Sequence, residues 1–397
     1  MNKIEKLLNE LCPNGVEFKS LGEVCEYIRG VTYAKNQEIQ DLDDGIKILR
    51  ANNITLNNVL DLRDLKVIHK NVKIKNTQFL KRQDILICAG SGSKEHIGKI
   101  AFIDRDMDFA FGGFMGVIRS KKINSRFLFF YLSSEYFRVF LKKELESSTI
   151  NNLNSALINK FQIPIPPIEI QEEIVKILDA FTDLEADLEA DLEARRRQYE
   201  YYRNKLLSFE YLKTNGGGYE LKMLGEVCEI YDKLRKPVAK DKRVKGDYPY
   251  YGANGIQDYV NNYLFEGEYL LIGEDGSVIN KDNSPVLHFV NGKFWVNNHA
   301  HIIQSKNHNL RFIYYALQCC NIFDLVKGTP PKLNQENLKI IQIPIPPLAI
   351  QEKIVSILDQ FHALTTDLTS GIPAEIEARK KQYEYYRNQL LTFKEAI

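Results

Sequence analysis

IPIPPIEIQEEIVKILDAF, residues 163–181, and IPIPPLAIQEKIVSILDQF, residues 343–361, are two near-copies of one segment within a single chain. The prolines favour an extended approach, and a helix can start just after Pro167 and Pro347 because proline suits a first turn. In the first copy apolar residues fall at Ile170, Ile174, Ile177, Phe181, Leu184 and Leu188, alternating steps of four and three, which is a coiled-coil seam. The second copy matches with Ile350, Ile354, Ile357, Phe361, Leu364 and Leu368. The pattern resumes at Tyr199, Tyr202, Leu206 and Phe209 in one copy, and at Tyr383, Tyr386, Leu390 and Phe393 in the other. Such seams must be buried, and each copy is the other's nearest partner. The spacing therefore predicts two long helices packed as an antiparallel coiled coil. From Ile170 to Phe209 the rod would be roughly 60 Å long at ~1.5 Å per residue. Gly371-Ile372-Pro373 is expected to break or kink the second helix midway.

Outward from these segments the duplication continues. QYEYYRN stands at 198–204 and 382–388, and LGEVCE at 21–26 and 224–229. NSRFLFFYL from Asn124 lines up with NLRFIYYAL from Asn309, and Leu153-Asn154 with Leu333-Asn334, while much of the rest has diverged. Near-identical connectors thus carry two dissimilar heads. The expected architecture is mixed α/β (α+β), two globular heads in a pseudo-twofold arrangement joined by the two helices. Its parts are an N-terminal helix, 1–15, docking near the C-terminus, a first head, 16–167, and a central connector helix, 168–213. A second head, 214–347, and a C-terminal connector helix, 348–397, complete it, with Gly216-Gly217-Gly218 as a loose joint. Within the first rod LEADLEADLEA, 184–194, repeats a four-residue unit. Each unit adds about 6 Å and roughly 40° of helical phase, close to the ~34° twist of one base pair. The unit count could therefore set a distance on duplex DNA.

Composition bounds the rest. The chain has 397 residues, too long for one ordinary core, with 44% apolar and 26% charged residues, as in a globular protein. No apolar stretch approaches the ~18 residues of a membrane span, and the N-terminus lacks a secretory core, so a cytoplasmic protein is expected. The cysteines, Cys12, Cys25, Cys88, Cys228, Cys319 and Cys320, form no C-x-x-C pair and read as reduced thiols. The net charge is only +1, but charge is segregated. Six basic residues and no acid lie between Lys66 and Gln83, seven against Glu135 between Arg119 and Lys143, and seven against Asp241 between Lys233 and Lys245. Segregation of this kind can present a basic face to phosphates.

Catalytic motifs fail on inspection. In CAGSGSKEHIGK, 88–99, a GxGxxG from Gly90 needs glycine where Glu95 stands, and a P-loop needs glycine at Ser93 and Ser or Thr at Ile100. His299 and His301 lack a further ligand at recognisable spacing, so no metal is expected. No Asn-Pro-Pro-aromatic or Asp-Pro-Pro-aromatic loop of an amino-methyltransferase occurs. What the heads do carry is chemistry for DNA contact, since Asn and Gln pair with adenine and Arg with guanine. In the first head the candidates are Arg29, Tyr33, Lys35, Arg50, Asn52, Asn53, Lys94 and His96. In the second they are Tyr250, Tyr251, Asn254, Gln257, Asn297, Asn298 and His299.

The order LGEVCE, IPIPP, QYEYYRN, each written twice, resembles the specificity subunits of type I restriction–modification systems over nearly the whole chain. The resemblance implies two target recognition domains, each reading one half of a bipartite double-stranded DNA target, with no catalysis in this chain. It implies two docked modification subunits, which bring S-adenosylmethionine and methylate adenine, and restriction subunits using ATP and Mg. Phe181, Leu184, Tyr199, Tyr202, Phe361, Tyr383 and Tyr386 are the expected seam and docking residues. Two rival readings are a stand-alone two-headed DNA-binding protein without a methyltransferase partner and an adaptor whose heads bind protein or sugar. Co-purification with a methyltransferase separates the first rival, and absence of salt-dependent DNA binding marks the second.

Overall fold

The computed structural model describes residues 3–41, 44–146, 152–367 and 369–396, without the side chains of Lys94 and Glu146. Leu368 of the expected seam and the side chain of the DNA-contact candidate Lys94 lie outside the described residues. The chain divides into two compact units, Met1–Asp187 with Ile376–Ile397, and Leu188–Glu375.

In the first unit, helix α1 (Lys3–Leu11) buries Ile4 in a core that also holds Leu391. Val16 N–H donates to Lys394 O at 2.8 Å, and Ala396 N–H to Val16 O at 2.9 Å, so the chain's first and last described segments are bonded. Strand β1 (Phe18–Ser20) belongs to a two-stranded ribbon. A four-stranded sheet forms from β2 (Cys25–Arg29), and a second begins with β3 (Glu38–Ile39), β4 (Ile46–Leu49) and β5 (Lys66–Ile68). Strands β6 (Ile85–Cys88), β7 (Ile100–Phe102), β8 (Phe109–Phe111) and β9 (Met115–Ser120) complete them, in the orders β2-β9-β6-β7 and β3-β5-β4-β8. Helices α2 (Ser125–Leu132) and α3 (Glu135–Glu146) follow, then β10 (Gln162–Pro164), which pairs antiparallel with β1. Helix α4 (Ile168–Leu206) runs unbroken out of the unit.

The second unit repeats this plan. Strand β11 (Glu220–Met223) is half of another ribbon, and β12 (Cys228–Ile230) opens the sheet. Strands β13 (Lys245–Gly252), β14 (Gly255–Val260), β15 (Phe265–Gly273), β16 (Leu287–Val296) and β17 (Ala300–Ser305) give the order β12-β17-β15-β16-β13-β14. Here one sheet replaces two because β16 is continuous. In the first unit IDRDMD, 103–108, with its three aspartates, interrupts the same path between β7 and β8. Helix α5 (Leu310–Leu317), strand β18 (Gln342–Ile345), which pairs with β11, and helix α6 (Leu348–Thr366) close the unit.

The repeated motifs are the residues that bind each head to its helix. The Gln171 carboxamide accepts from Asn124 N–H at 2.9 Å and donates to Pro166 O at 2.7 Å. Gln351 does the same with Asn309 N–H at 2.9 Å and Pro346 O at 2.8 Å. Both glutamines are buried, so each satisfies the turn and the helix start at once. Asn124 and Asn309 in turn cap α2 and α5. Arg126 bonds Asp179 at 2.7 Å and Arg311 bonds Asp359 at 2.8 Å, each guanidinium lying over aromatic rings of its head. Leu21 and Leu224, first in the two LGEVCE copies, donate to Phe161 O and Ile341 O at 2.8 Å.

Each half of α4 runs antiparallel to a helix of its own unit. In the first, Phe181 stacks on Tyr386 at 5.5 Å and lies 6.2 Å from Tyr383, while Lys380 meets Glu185 at 3.2 Å. In the second, Tyr202 stacks on Phe361 at 5.4 Å and Tyr199 lies 6.4 Å from His362. Beside the seam residues Ile170 and Ile174, Leu178, which the heptad spacing passes over, is also fully buried against the head, whereas Leu184 is exposed. The expected interruption separates α6, which ends at Thr366, from the C-terminal helix (Ile372–Leu390), so that Gly371 immediately precedes the new helix and Ile372 and Pro373 open it. A Cβ on Gly371 would lie 2.7 Å from Ala363 O and Asp367 O, so the turn needs glycine.

The second unit is expected to be the more acid-sensitive. Burial holds the imidazoles of His288, His308 and His362 below their usual value. An unfolded chain takes up these protons near pH ~6.5, earlier than the folded one. Stability is therefore full above that pH and falls as the pH drops toward the lowered folded values. Calorimetry from about pH 7.5 to about pH 5.5 should show the second unit's transition falling while the first unit, which holds none of the three, moves less. Equal shifts would contradict this.

Candidate nucleic-acid interface

In each unit a strand end and a tight turn meet at one corner. In the first unit β4 runs parallel to β8, with Leu49 beside Phe111, and Gly112 N–H donates to Leu49 O at 2.9 Å. In the second, β13 runs parallel to β16, with Tyr251 beside Val296, and Asn297 N–H donates to Tyr251 O at 3.0 Å. The segments that leave β4 and β13, RANN at 50–53 and GANG at 252–255, therefore hold equivalent places.

The first corner borders an open cavity of about 900 Å³ lined by Arg29, Tyr33, Lys35, Arg50, Asn52 and Phe114 among others. Five residues picked from sequence thus meet in one place. Arg29, Lys35 and Asn52 are exposed, and Tyr33 and Arg50 half-buried. Burial, and the Glu38 carboxylate beside it, push the Tyr33 phenol up. Arg50 is held by Asp64 at 2.8 Å. Asn53 serves the fold instead. It is fully buried, accepts from Arg50 N–H at 2.8 Å, and donates to Asp61 O and Asp64 O. Below the turn, the Lys99 ammonium donates to Ala51 O at 2.9 Å and to Ile54 O. Burial lowers the Lys99 pKa, since its partners here are carbonyls. His96 is half-buried on a short turn, 3.7 Å from Glu95, and is not among the cavity's lining residues.

At the second corner Asn254, Gln257, Asn298 and His299 are exposed. Tyr250, by contrast, is buried beneath Arg243 at 4.2 Å, with its hydroxyl accepting from Val238 N–H at 2.9 Å. Tyr251 is half-buried edge-on to Phe294. Asn297 is buried and accepts from His299 N–H at 2.8 Å while donating to Gln257 at 3.2 Å, so it shapes the turn. His299 Nδ1 lies 2.5 Å from the Asp275 carboxylate.

Asp232, Glu274 and His301 gather close by, a trio of possible metal-ligand types. The Arg235 guanidinium already sits among them, 2.5 Å from Glu274 and 3.6 Å from Asp232. His301 spans Asp232 at 2.7 Å and Leu333 O at 2.8 Å. A guanidinium and an imidazole already pair with both carboxylates, so the group is described by its ion pairs.

Sequence reading missed Phe114. It is 72% exposed and lies on the turn between β8 and β9, where His299 lies between β16 and β17. The signal was present: both stand the same distance before the caps Asn124 and Asn309.

These features define a protein with two copies of one α/β head, each presenting a polar and aromatic corner. The type I restriction modification DNA specificity domain matches residues 13–195 and again 217–378, so the chain belongs to that family, whose role is to recognise DNA targets. A Haemophilus influenzae protein, provisionally named a type I restriction enzyme specificity subunit, is 46% identical over 186 residues, 45% of this chain and 48% of its own. The match thus spans about half of that relative's length. The Escherichia coli type I restriction enzyme EcoR124I/EcoR124II specificity subunit is 32% identical over 261 residues, 59% of this chain and 63% of its own. The solved S subunit of a type I restriction-modification system from M. genitalium shares the fold, at 15% identity and a TM-score of 0.55 over 95% of both chains. No helix among the described residues is long and apolar enough to cross a membrane.

Proposed function

We propose that each unit reads one half of a bipartite duplex and that the connecting helices fix the gap and dock two modification subunits. The observation that carries this is the recurrence of one strand register in two units whose corners differ chemically, on a chain crossed by one unbroken helix. The modification subunits supply S-adenosylmethionine and methylate adenine, restriction subunits add ATP- and Mg-dependent cleavage, and the assembly works in the cytoplasm. This chain contributes the address. Basic groups not spent in ion pairs meet phosphate: Lys35, Lys233, Lys240 and Lys242 are exposed, whereas Arg119 is committed to Asp84.

The test is affinity for a randomised duplex pool across a salt series, with co-purification of a methyltransferase subunit. Binding should fall linearly in log–log form with added salt; salt-independent binding, or none, overturns the reading. Two neighbouring asparagines sharpen it. Asn52→Ala should leave the melting temperature unchanged and weaken binding on the order of 10-fold or more, the worth of a bidentate adenine contact. Asn53→Ala should cost about 2–4 kcal/mol of stability, since three backbone groups lose their partner. The opposite pattern in calorimetry and anisotropy would contradict these roles.

A further inference from the structure

Phe114 and His299 occupy one position in two settings. Ala89 N–H donates to Phe114 O at 2.9 Å, and Glu274 N–H to His299 O at 2.9 Å. Leu153 N–H then donates to Ala89 O at 2.7 Å, and Leu333 N–H to Glu274 O at 2.8 Å. The next residues along, Gly90 and Asp275, bridge Asn152 and Lys332. The backbone is thus the same, and the side chains differ as matched pairs. A Cβ on Gly90 would stand 3.2 Å from Phe114 Cδ1, so glycine lets the ring lie close against the backbone. In the second unit that place belongs to Asp275, whose carboxylate lies 2.5 Å from His299 Nδ1 on a half-exposed ring, which leaves Nε2 as the ring's other hydrogen-bonding atom.

Nothing in the fold calls for the Phe114 ring at the surface. Phe114 leaves 72% of its area in water, which works against stability. Asn52 and Asn254, by contrast, are the same exposed residue at the same place in both corners. The corners thus share one polar group and differ beside it.

We propose that Phe114 and His299 are the specificity-determining residues of the two units. Phe114 meets a base edge by apolar contact, as with a thymine methyl, and His299 by a hydrogen bond through Nε2. This rests on the reading of each unit as a half-site reader and adds which side chain sets the difference between halves.

The test is selection from a randomised duplex pool by the full-length chain, with sequencing of the bound fraction. The wild type should return two blocks of preferred sequence. Phe114→Ala should lose about 10-fold of preference at a position in one block and leave the other block intact. His299→Ala should do so in the other block only. The pair Gly90→Asp with Phe114→His, which transplants the second unit's setting, should give a new preference in the Phe114 block. Unchanged melting transitions verify that each variant folds. Wild-type motifs from both single variants, or equal decay of both blocks, overturn the inference while leaving DNA reading in place. A wild-type pool with no preferred sequence overturns both.

Discussion

Deleting residues 184–187, one LEAD unit, should weaken binding to the wild-type chain's preferred duplex by on the order of 100-fold or more, because one half-site falls out of phase. Binding should return on a duplex whose gap is shorter by about one base pair. The deletion is mild for the helix itself. Leu188 and Glu189 move into the places of Leu184 and Glu185, so the apolar pattern and the partner for Lys380 are restored. What changes is phase: residues beyond the cut rotate by roughly 40° and advance by about 6 Å less. The anchors on either side, Phe181 against Tyr386 and Tyr202 against Phe361, are untouched. Anisotropy on duplexes of graded gap length measures this, and an unchanged optimum would remove the role of α4 in setting the gap.

Asp84→Ala should destabilise the first unit by about 3–5 kcal/mol, a large share of the ~5–15 kcal/mol that holds a domain folded. Asp84 is 1% exposed and binds Arg119 through both oxygens at 2.7 Å, and it also accepts from Lys81 N–H at 2.8 Å. Removing it leaves a guanidinium without its carboxylate. The unfolding transition of the first unit should fall by roughly 10 °C, and that of the second should stay. The second unit has Gln304 where the first has Arg119, so no such pair exists there to lose. Replacing both partners, Asp84→Leu with Arg119→Met, should recover most of the loss, because two apolar groups leave no unpaired charge. A double variant as unstable as the single one would show that shape, not charge, is what Asp84 provides.

Most of the architecture was legible because two kinds of signal coincide. Helical periodicity marks α4 and α6, and duplication marks Gln171 with Gln351 and Arg126 with Arg311, residues whose partners are near-identical in both units. Leu178 was passed over because the heptad spacing skips it, while α4 buries it against the head. Within the corners, legibility ran out at burial. Asn52 and Asn53 look alike in sequence, yet one is exposed and the other has its amide spent on the carbonyls of Asp61 and Asp64. Tyr250 and Asn297 likewise are polar residues whose partners, Val238 and His299, come from other segments or the turn itself. Phe114 was hidden for the converse reason. A single aromatic reads as core, and only the register that gives it the place His299 holds in the second unit marks it as outward-facing.

Mapping methylated adenines in cells that express this chain together with a modification subunit tests the central claim most directly. The account predicts that the modified adenines share one motif of two unlike blocks with a single gap length, each block carrying a modified adenine. Methylation governed by one block alone, or by two blocks at variable distance, would contradict it.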